Sequence, residues 1–143
     1  MDLKVLLVRP HPYLPTSQWL QSMIRLEPYA QELVAGGIQE PHDVRICDLA
    51  VEDDDPIGVF KQTLQEYRPD LVGFGGFSSQ FNQNKELAGI VKDLLPGAIT
   101  CLGGIHPSSY PTDCKCPELF DFIVRGDGVS AIKQVVAALE NDE

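Results

Sequence analysis

Basic residues are scarce in this chain of 143 residues, which has 11 lysines and arginines against 21 acids and a formal net charge of −10. Nucleic-acid binding needs clustered lysine and arginine for the phosphates, so this balance argues against that class of partner. An anionic membrane surface is disfavoured for the same reason. No apolar run approaches the roughly 20 residues that a membrane-spanning helix needs. We therefore expect no nucleic acid and no membrane among the partners.

Cysteines are also few, four in all, and their spacing predicts neither a disulfide framework nor a structural metal site. Cys47 and Cys101 fall within apolar runs, where cysteine usually behaves as a small hydrophobic residue. Cys114 and Cys116 form a lone CxC without a second pair of zinc ligands. The N-terminal segment lacks the basic start of a secretory signal, so we expect a reducing cytosol.

Several sequence motifs with a known chemistry are missing. There is no GxxxxGK[ST] to cradle phosphates and no GxGxxG after the first predicted strand. The loop after that strand is rich in proline, unlike the loop of a flavodoxin-type site, and the end of the third strand lacks the acid of a phosphoacceptor domain. No Ser-His-Asp or Cys-His set follows from the spacing, so we assign no catalytic residue.

What the chain does contain is a regular alternation of short apolar runs and amphipathic segments, with 43% hydrophobic residues overall. Strands are predicted over Leu3–Val8, Val44–Leu49, Leu71–Phe74, Ala98–Leu102 and Phe120–Val124. A helix is predicted over Pro56–Tyr67, with Phe60, Leu64 and Tyr67 on one side. Further helical faces are predicted from Leu26, Tyr29, Ala30 and Leu33, from Leu87, Ile90, Val91 and Leu94, and from Ile132, Val135, Val136 and Leu139. This alternation indicates one doubly wound α/β domain over residues 1–143, Rossmann or flavodoxin-like, with a five-stranded parallel sheet in the order 2-1-3-4-5.

The loops after the strands meet at one edge of such a sheet, because parallel strands joined by right-handed crossovers share an orientation. Ligands bind at this carboxyl edge in open α/β folds. Glycines recur in the loops after strands three, four and five, where they either let a ligand approach closely or simply make tight turns. The polar groups there are neutral and suit a ligand rich in amides and hydroxyls: Ser78, Ser79, Gln80, Asn82, Ser108 and Ser109.

The three histidines differ in their predicted place. His106 lies in the loop after strand four, where it either contacts a ligand or holds a rigid turn. His42 precedes strand two at the opposite edge, and we expect it at the surface. His11 follows strand one, where it either reaches a metal or has a structural role, and the lack of a carboxylate partner in the sequence favours the structural role.

Four segments resemble the cobalamin (vitamin B12)-binding domain found at the front of B12-dependent radical SAM enzymes. They are VLLVRP at Val5–Pro10, PDLVGFGGFSS at Pro69–Ser79, LGGIHP at Leu102–Pro107 and DFIVRGDG at Asp121–Gly128. The resemblance implies cobalamin as cofactor, with the edge loops wrapped around the corrin ring and the nucleotide tail between sheet and helices. The cofactor-binding residues that it implies are Arg9, Pro10, His11, Ser78, Ser79, Gln80, Asn82, Gly103, Gly104, His106, Pro107, Gly126, Asp127 and Gly128.

Departures from the family pattern define what the chain lacks. Relatives that ligate cobalt carry DxHxxG, and here Arg9 and Leu14 replace the Asp and Gly around His11, so no metal ligand is assigned. The final family loop often reads RGEGE, and this chain has Asp127 and Val129 instead. The cluster-binding CxxxCxxC of a radical SAM barrel is missing.

The sequence therefore predicts cobalamin binding without radical SAM chemistry of its own, in a free-standing module or a domain of a longer enzyme. A radical SAM or methyltransferase protein or domain is the expected partner. Two alternatives stay open: a B12-type fold that has lost its cofactor and serves interaction or regulation, and a flavin or nucleotide binder that uses the same edge.

Overall fold

The computed structural model describes residues 2–11, 28–52, 54–75 and 80–141, and within them a single parallel sheet. Its strands are β1 (Lys4–Arg9), β2 (Asp43–Asp48), β3 (Leu71–Phe74), β4 (Ile99–Leu102) and β5 (Phe122–Ile123), in the order β2-β1-β3-β4-β5. The predicted fold class and strand order are confirmed. Strand bounds differ from the predicted ones by a residue at most ends, but β5 has 2 residues and is shorter than expected.

Helices follow the strands in the described part of the chain. They are α1 (Tyr29–Gly36), α2 (Pro56–Tyr67), α3 (Phe81–Leu94), α4 (Ile105–Ser109) and α5 (Gly128–Glu140), and a 3-10 turn spans Leu49–Val51. Helix α2 begins where the sequence predicts, because the Asp55 carboxylate accepts a hydrogen bond from the Gly58 N–H at 3.0 Å and Pro56 needs no partner for its nitrogen. None of these helices is long and apolar enough to cross a bilayer.

Alternating side chains divide the core between the two faces of the sheet. On the first, which we call the filled face, Leu6, Val8, Val72, Phe74 and Leu102 pack against α2 and α3. On the second, the open face, Val5, Leu7, Leu71 and Cys101 lie under α1 and α5. Because strands covered on both sides need apolar residues throughout, β1 and β3 are nearly continuous hydrophobic runs.

The predicted helical faces are wrong for α1 and at the end of α3, where Leu94 is 38% exposed. Helix α1 does not bury Tyr29 and Leu33, which are 68% and 49% exposed. It turns Gln31 and Val34 toward the sheet instead, while Leu26 lies outside the described residues. Apolar residues line more than one side of these two turns, so packing against the sheet and α5 decides which side is buried.

Helix α4 was predicted as part of a loop. Its 5 residues contain Pro107, which is tolerated because the first N–H groups of a helix have no acceptor within it. A segment this short has no readable periodicity, so the sequence gives little sign of it.

The amino edge of the sheet, where the strands begin, is closed by side chains. The carboxylate of Asp70 accepts a hydrogen bond from the Lys4 N–H at 2.8 Å, and that of Asp121 accepts one from the Thr100 N–H at 2.9 Å. His42 was predicted at the surface, and this is wrong: its side chain is 6% exposed. Its Nδ1 accepts a hydrogen bond from the Leu3 N–H at 3.1 Å, which buries the ring against β1.

Candidate functional site

A mostly apolar cavity of about 120 Å³ opens at the carboxyl edge, between the open face of the sheet and helices α1 and α5. Its lining comes from the ends of β1, β3 and β4, from the loops that follow β3, β4 and β5, and from the two helices. The lining residues are Leu7, Val8, Ala30, Gln31, Val34, Gly73, Phe74, Gly75, Cys101, Gly103, Gly104, Val124, Gly128 and Ile132.

Small residues of the central strands line this space. Gly73 lies in the middle of β3, where glycine weakens a strand and usually marks close approach by another group. A Cβ at this position would lie 2.9 Å from Leu7 Cδ2 and 3.5 Å from Cys101 Sγ. The side chains of Leu7 and Cys101 therefore pack close to the backbone of Gly73 beside the cavity, and a larger residue here would displace them.

Cys101 contributes to the cavity as an apolar group. Burial, with a smaller contribution from the charge of Asp121, raises the pKa of its thiol to about 12. Because a thiolate is the reactive and metal-binding form, a thiol with this pKa is inert near neutral pH. The cavity floor is therefore uncharged.

The loops above the cavity have glycine-dependent geometry at two positions. Gly104 has φ 101° and ψ −162°, and Gly126 has φ 77°, both conformations that other residues adopt only with strain. Ser108 joins these loops: its hydroxyl donates to the Gly104 carbonyl at 2.8 Å and accepts from the Gly126 N–H at 2.9 Å. Gly103, Gly104 and Gly128, three of the predicted site residues, meet along the cavity.

His106 lies in an aromatic stack beside these loops. Its ring centroid is 4.4 Å from that of Phe81 and 5.5 Å from that of Tyr110. Neither ring nitrogen makes a hydrogen bond, and the nearest carboxylate oxygen, from Asp113, is 3.9 Å from Nε2. A nearly buried imidazole with unused nitrogens can still serve a ligand, and the stack holds it in place. Pro107, next to it, is buried.

Asp127 has a structural part in the site. It is the N-cap of α5, where its carboxylate accepts hydrogen bonds from the Ser130 hydroxyl at 2.7 Å and the Val129 N–H at 3.0 Å. These bonds lower the pKa of Asp127. The residue thus fixes the start of α5 beside Gly128.

The remaining predicted site residues are spread along the same edge. Arg9 pairs with Asp48 across β1 and β2, with its Nε 2.7 Å and its terminal nitrogen 2.6 Å from the carboxylate oxygens. Pro10 and His11 are buried directly after β1.

The predicted site residues between β3 and α3 lie on the other side of the edge. Gln80 is the N-cap of α3 and Asn82 is exposed on its first turn. Ser78 and Ser79 lie outside the described residues.

Sequence reasoning missed two buried amides at this edge. Asn84 is 2% exposed; its amide nitrogen donates to the Gly75 carbonyl over 3.4 Å, and its oxygen makes no hydrogen bond. Gln31 is 8% exposed and lines the cavity. Both occupy core positions of amphipathic helices, and a polar residue at a core position was the signal available in the sequence.

The chemistry of the site is that of binding. The described residues hold no group of three or more His, Cys, Asp or Glu side chains able to share a metal ion. The cavity is smaller than the roughly 300–1,000 Å³ of a drug-sized ligand pocket, so it has room for only one end of a larger ligand. The amide of Gln31 lines it, and the imidazole of His106 lies beside the loops above it.

Comparison with known proteins agrees with this geometry. Residues 25–136 match a family model described as B12 binding domain. An uncharacterized methyltransferase of Pyrococcus horikoshii is 30% identical over 141 residues, which cover 96% of this chain and 29% of that protein. The anaerobic magnesium-protoporphyrin IX monomethyl ester cyclase of Synechocystis is 36% identical over 73 residues, 50% of this chain and 14% of that protein.

Among solved structures, the radical S-adenosylmethionine methyltransferase TsrM from Kitasatospora setae, with cobalamin and an iron–sulfur cluster bound, superposes with a TM-score of 0.82 at 21% identity. The match covers 100% of this chain and 25% of that one. A receiver domain from Methanospirillum hungatei gives a TM-score of 0.55 at 13% identity, over 99% of this chain and 96% of that one. These likenesses concern the fold. This chain spans less than a third of the methyltransferases that it matches.

Proposed function

Because this chain belongs to the B12 binding domain family, we propose that it holds cobalamin at the carboxyl edge of its sheet, with the nucleotide tail in the cavity of the open face. Its function is cobalamin binding, as a module of the methyltransferase type. The observation that carries the proposed position of the cofactor is the cavity itself, where apolar walls and glycine loops surround the amide of Gln31, with the imidazole of His106 beside the loops.

The size of the cavity limits which part of the cofactor can enter it. A space of about 120 Å³ is too small for a corrin ring but suits part of a nucleotide. The ring is then left over the loops that carry Gly104, His106 and Gly126. Their glycines leave room for backbone contact, and His106 offers ring nitrogens to the amides at the corrin rim.

When bound, cobalamin supplies the methyl-transfer chemistry at its cobalt, while the protein binds and orients it. The residues of this chain hold the edge in shape for that purpose. The Arg9–Asp48 pair fixes the end of β1, and Ser108 ties the two glycine loops together. We assign no cobalt ligand, and His11 stays the residue to examine in that role.

We further propose that this module works with a radical SAM or methyltransferase protein or domain. The support is that methyltransferases are among the relatives and that this chain corresponds to only a part of their length. A cytosolic location belongs to the same proposal, because its four cysteines are free thiols in the structure and a reducing compartment keeps them so.

Reconstitution tests the binding. Purified protein is mixed with hydroxocobalamin, desalted, and examined by visible absorbance under oxidising and reducing conditions. We expect the corrinoid to co-elute in near-equal amount with the protein. Absence of corrinoid under both conditions would contradict the proposal, and a yellow chromophore retained from purification would support a flavin instead.

A pair of glycine variants tests the position. In Gly103→Leu the new Cβ has ordinary contacts, with Val124 Cβ nearest at 3.7 Å, so the rest of the side chain occupies the cavity. We expect at least about a tenfold loss of cobalamin affinity. Gly97→Leu, in an open turn with nothing within 4 Å of the new Cβ, is the matched control and should bind normally. Equal affinity of the two variants would place the cofactor elsewhere.

A further inference from the structure

The cavity contains one strongly hydrogen-bonding side chain. Among the lining residues that the structure describes, only Gln31 carries a side-chain amide, and the Cys101 thiol of the lining is neutral. Gln31 is 8% exposed and comes from the first turn of α1. Within the part of the chain that the structure describes, no protein group makes a hydrogen bond with its side-chain amide.

This glutamine is a poor choice for packing alone. It shares the inner side of α1 with Val34 and Ala35, which pack against the apolar cluster of the open face. A leucine or methionine would cover the same apolar neighbours, whereas the glutamine places a hydrogen-bond donor and acceptor at the cavity. The arrangement suggests that their partner is a ligand.

We propose that Gln31 is a specificity-determining residue that hydrogen-bonds the nucleotide end of the corrinoid and so selects corrinoids that carry a tail. The inference rests on the proposed function, since it assumes that the tail enters this cavity. An amide offers both a donor and an acceptor, and therefore suits a ribose hydroxyl or a ring nitrogen of the base. The apolar walls cover the rest of the tail without discriminating, while Gln31 recognises its polar atoms.

Two corrinoids and two variants test the idea. Dissociation constants are measured by absorbance titration for hydroxocobalamin and for cobinamide, which lacks the nucleotide, with the intact chain and with Gln31→Leu and Gln31→Met. We expect the intact chain to prefer cobalamin. Both variants should lose about tenfold in cobalamin affinity, the effect of one hydrogen bond, while their cobinamide affinity changes less than about twofold.

Thermal melting of the cofactor-free protein separates a ligand contact from a structural role. The two variants should melt at or above the temperature of the intact chain, because leucine and methionine pack at least as well as glutamine against the apolar residues around this position. Gln134→Leu, at an exposed position of α5, serves as the matched control and should change neither affinity.

The outcomes distinguish this inference from the proposed function. Equal losses for both corrinoids, or a lowered melting temperature, would mean that Gln31 supports the fold and would overturn the inference. Unchanged cobalamin affinity in both variants would overturn it as well, although cobalamin binding would stand. An intact chain that binds neither corrinoid would overturn the proposed function and this inference together.

Discussion

The two edges of the sheet use their polar groups in opposite ways. At the amino edge, the N–H groups of Leu3, Lys4 and Thr100 are each paired with a side chain. At the carboxyl edge, glycines leave space and buried atoms of Asn84 and His106 have no partner. Hydrogen bonds made within the protein stabilise the fold, whereas unused ones are available to a ligand. The same strands thus end in a closed edge and an open one.

This comparison predicts that changes at the amino edge reduce stability, while changes at the carboxyl edge reduce binding. Variants at Asp121, Asn84 and Ser108 test this difference between stability and binding.

The largest effect is expected at Asp121. Burial opposes ionisation of its carboxyl group, but hydrogen bonds from Lys92 and Thr100 outweigh it and lower the pKa below the ordinary 3.8. Asp121→Ala should reduce the free energy of unfolding by about 2 kcal/mol at pH 7, discounted for partial exposure, as measured by urea unfolding. Asp93→Ala, at an exposed position of α3, is the control.

The pH dependence of this difference has a definite sign. A carboxyl group with a lowered folded-state pKa contributes stability that is fully present above its unfolded value and is lost as the pH falls through the folded value. The gap between the intact chain and Asp121→Ala should therefore persist down to about pH 4 and shrink below it. A gap that is constant down to pH 2 would mean that the charge of Asp121 contributes little.

A smaller effect, on binding rather than folding, is expected at Asn84. Leucine has a similar shape, and the amide that it replaces makes one long hydrogen bond to Gly75 and leaves its oxygen unpaired. Asn84→Leu should change the free energy of unfolding by less than about 1 kcal/mol. Cobalamin affinity should fall about threefold to tenfold, since the loop that carries Gly75 loses an anchor.

Gln65→Leu, at an exposed position of α2, is the matched control for that variant. If Asn84→Leu were to destabilise the cofactor-free protein strongly and leave cobalamin affinity unchanged, the role of Asn84 would be to stabilise the fold, as it is for the side chains of the amino edge. The contrast between the two edges would then fail at this position.

The smallest effect is expected at Ser108, whose hydroxyl bridges two exposed loops. Ser108→Ala should weaken cobalamin binding by about 0.5 kcal/mol, roughly twofold to threefold, with no change in melting temperature. Isothermal titration beside Thr112→Ala, an exposed residue in the next turn, provides the comparison. A large loss of affinity would show that the hydroxyl contacts the cofactor directly.

Much of this architecture was predictable, because its signals are local. The run Leu71–Phe74 and the segment Pro56–Tyr67 were predicted with the bounds that the structure gives them. A buried strand needs an unbroken apolar run, and an N-cap acid followed by proline marks a helix start. The resemblance of the loop segments predicted the family, which the family match confirms.

Other features depended on contacts between distant segments. Tyr29 and Leu33 were predicted to face the core, but α1 packs through Gln31 and Val34 because β1 and α5 determine its orientation. His42 was predicted at the surface, but Leu3 and Glu140 meet it from the two ends of the chain. Periodicity within a segment contains no information about such partners.

The sequence by itself determined the class of fold, the order of its elements and the family, because each follows from local periodicity, turn residues and short loop motifs. Only the tertiary structure decided that Gly73 and Cys101 lie under α1 and α5, that a cavity remains between the sheet and these helices, and that Gln31 lines it. The physical reason is that a void, like an unpaired amide, is defined by what surrounds it, and those surroundings come from residues far apart in the chain.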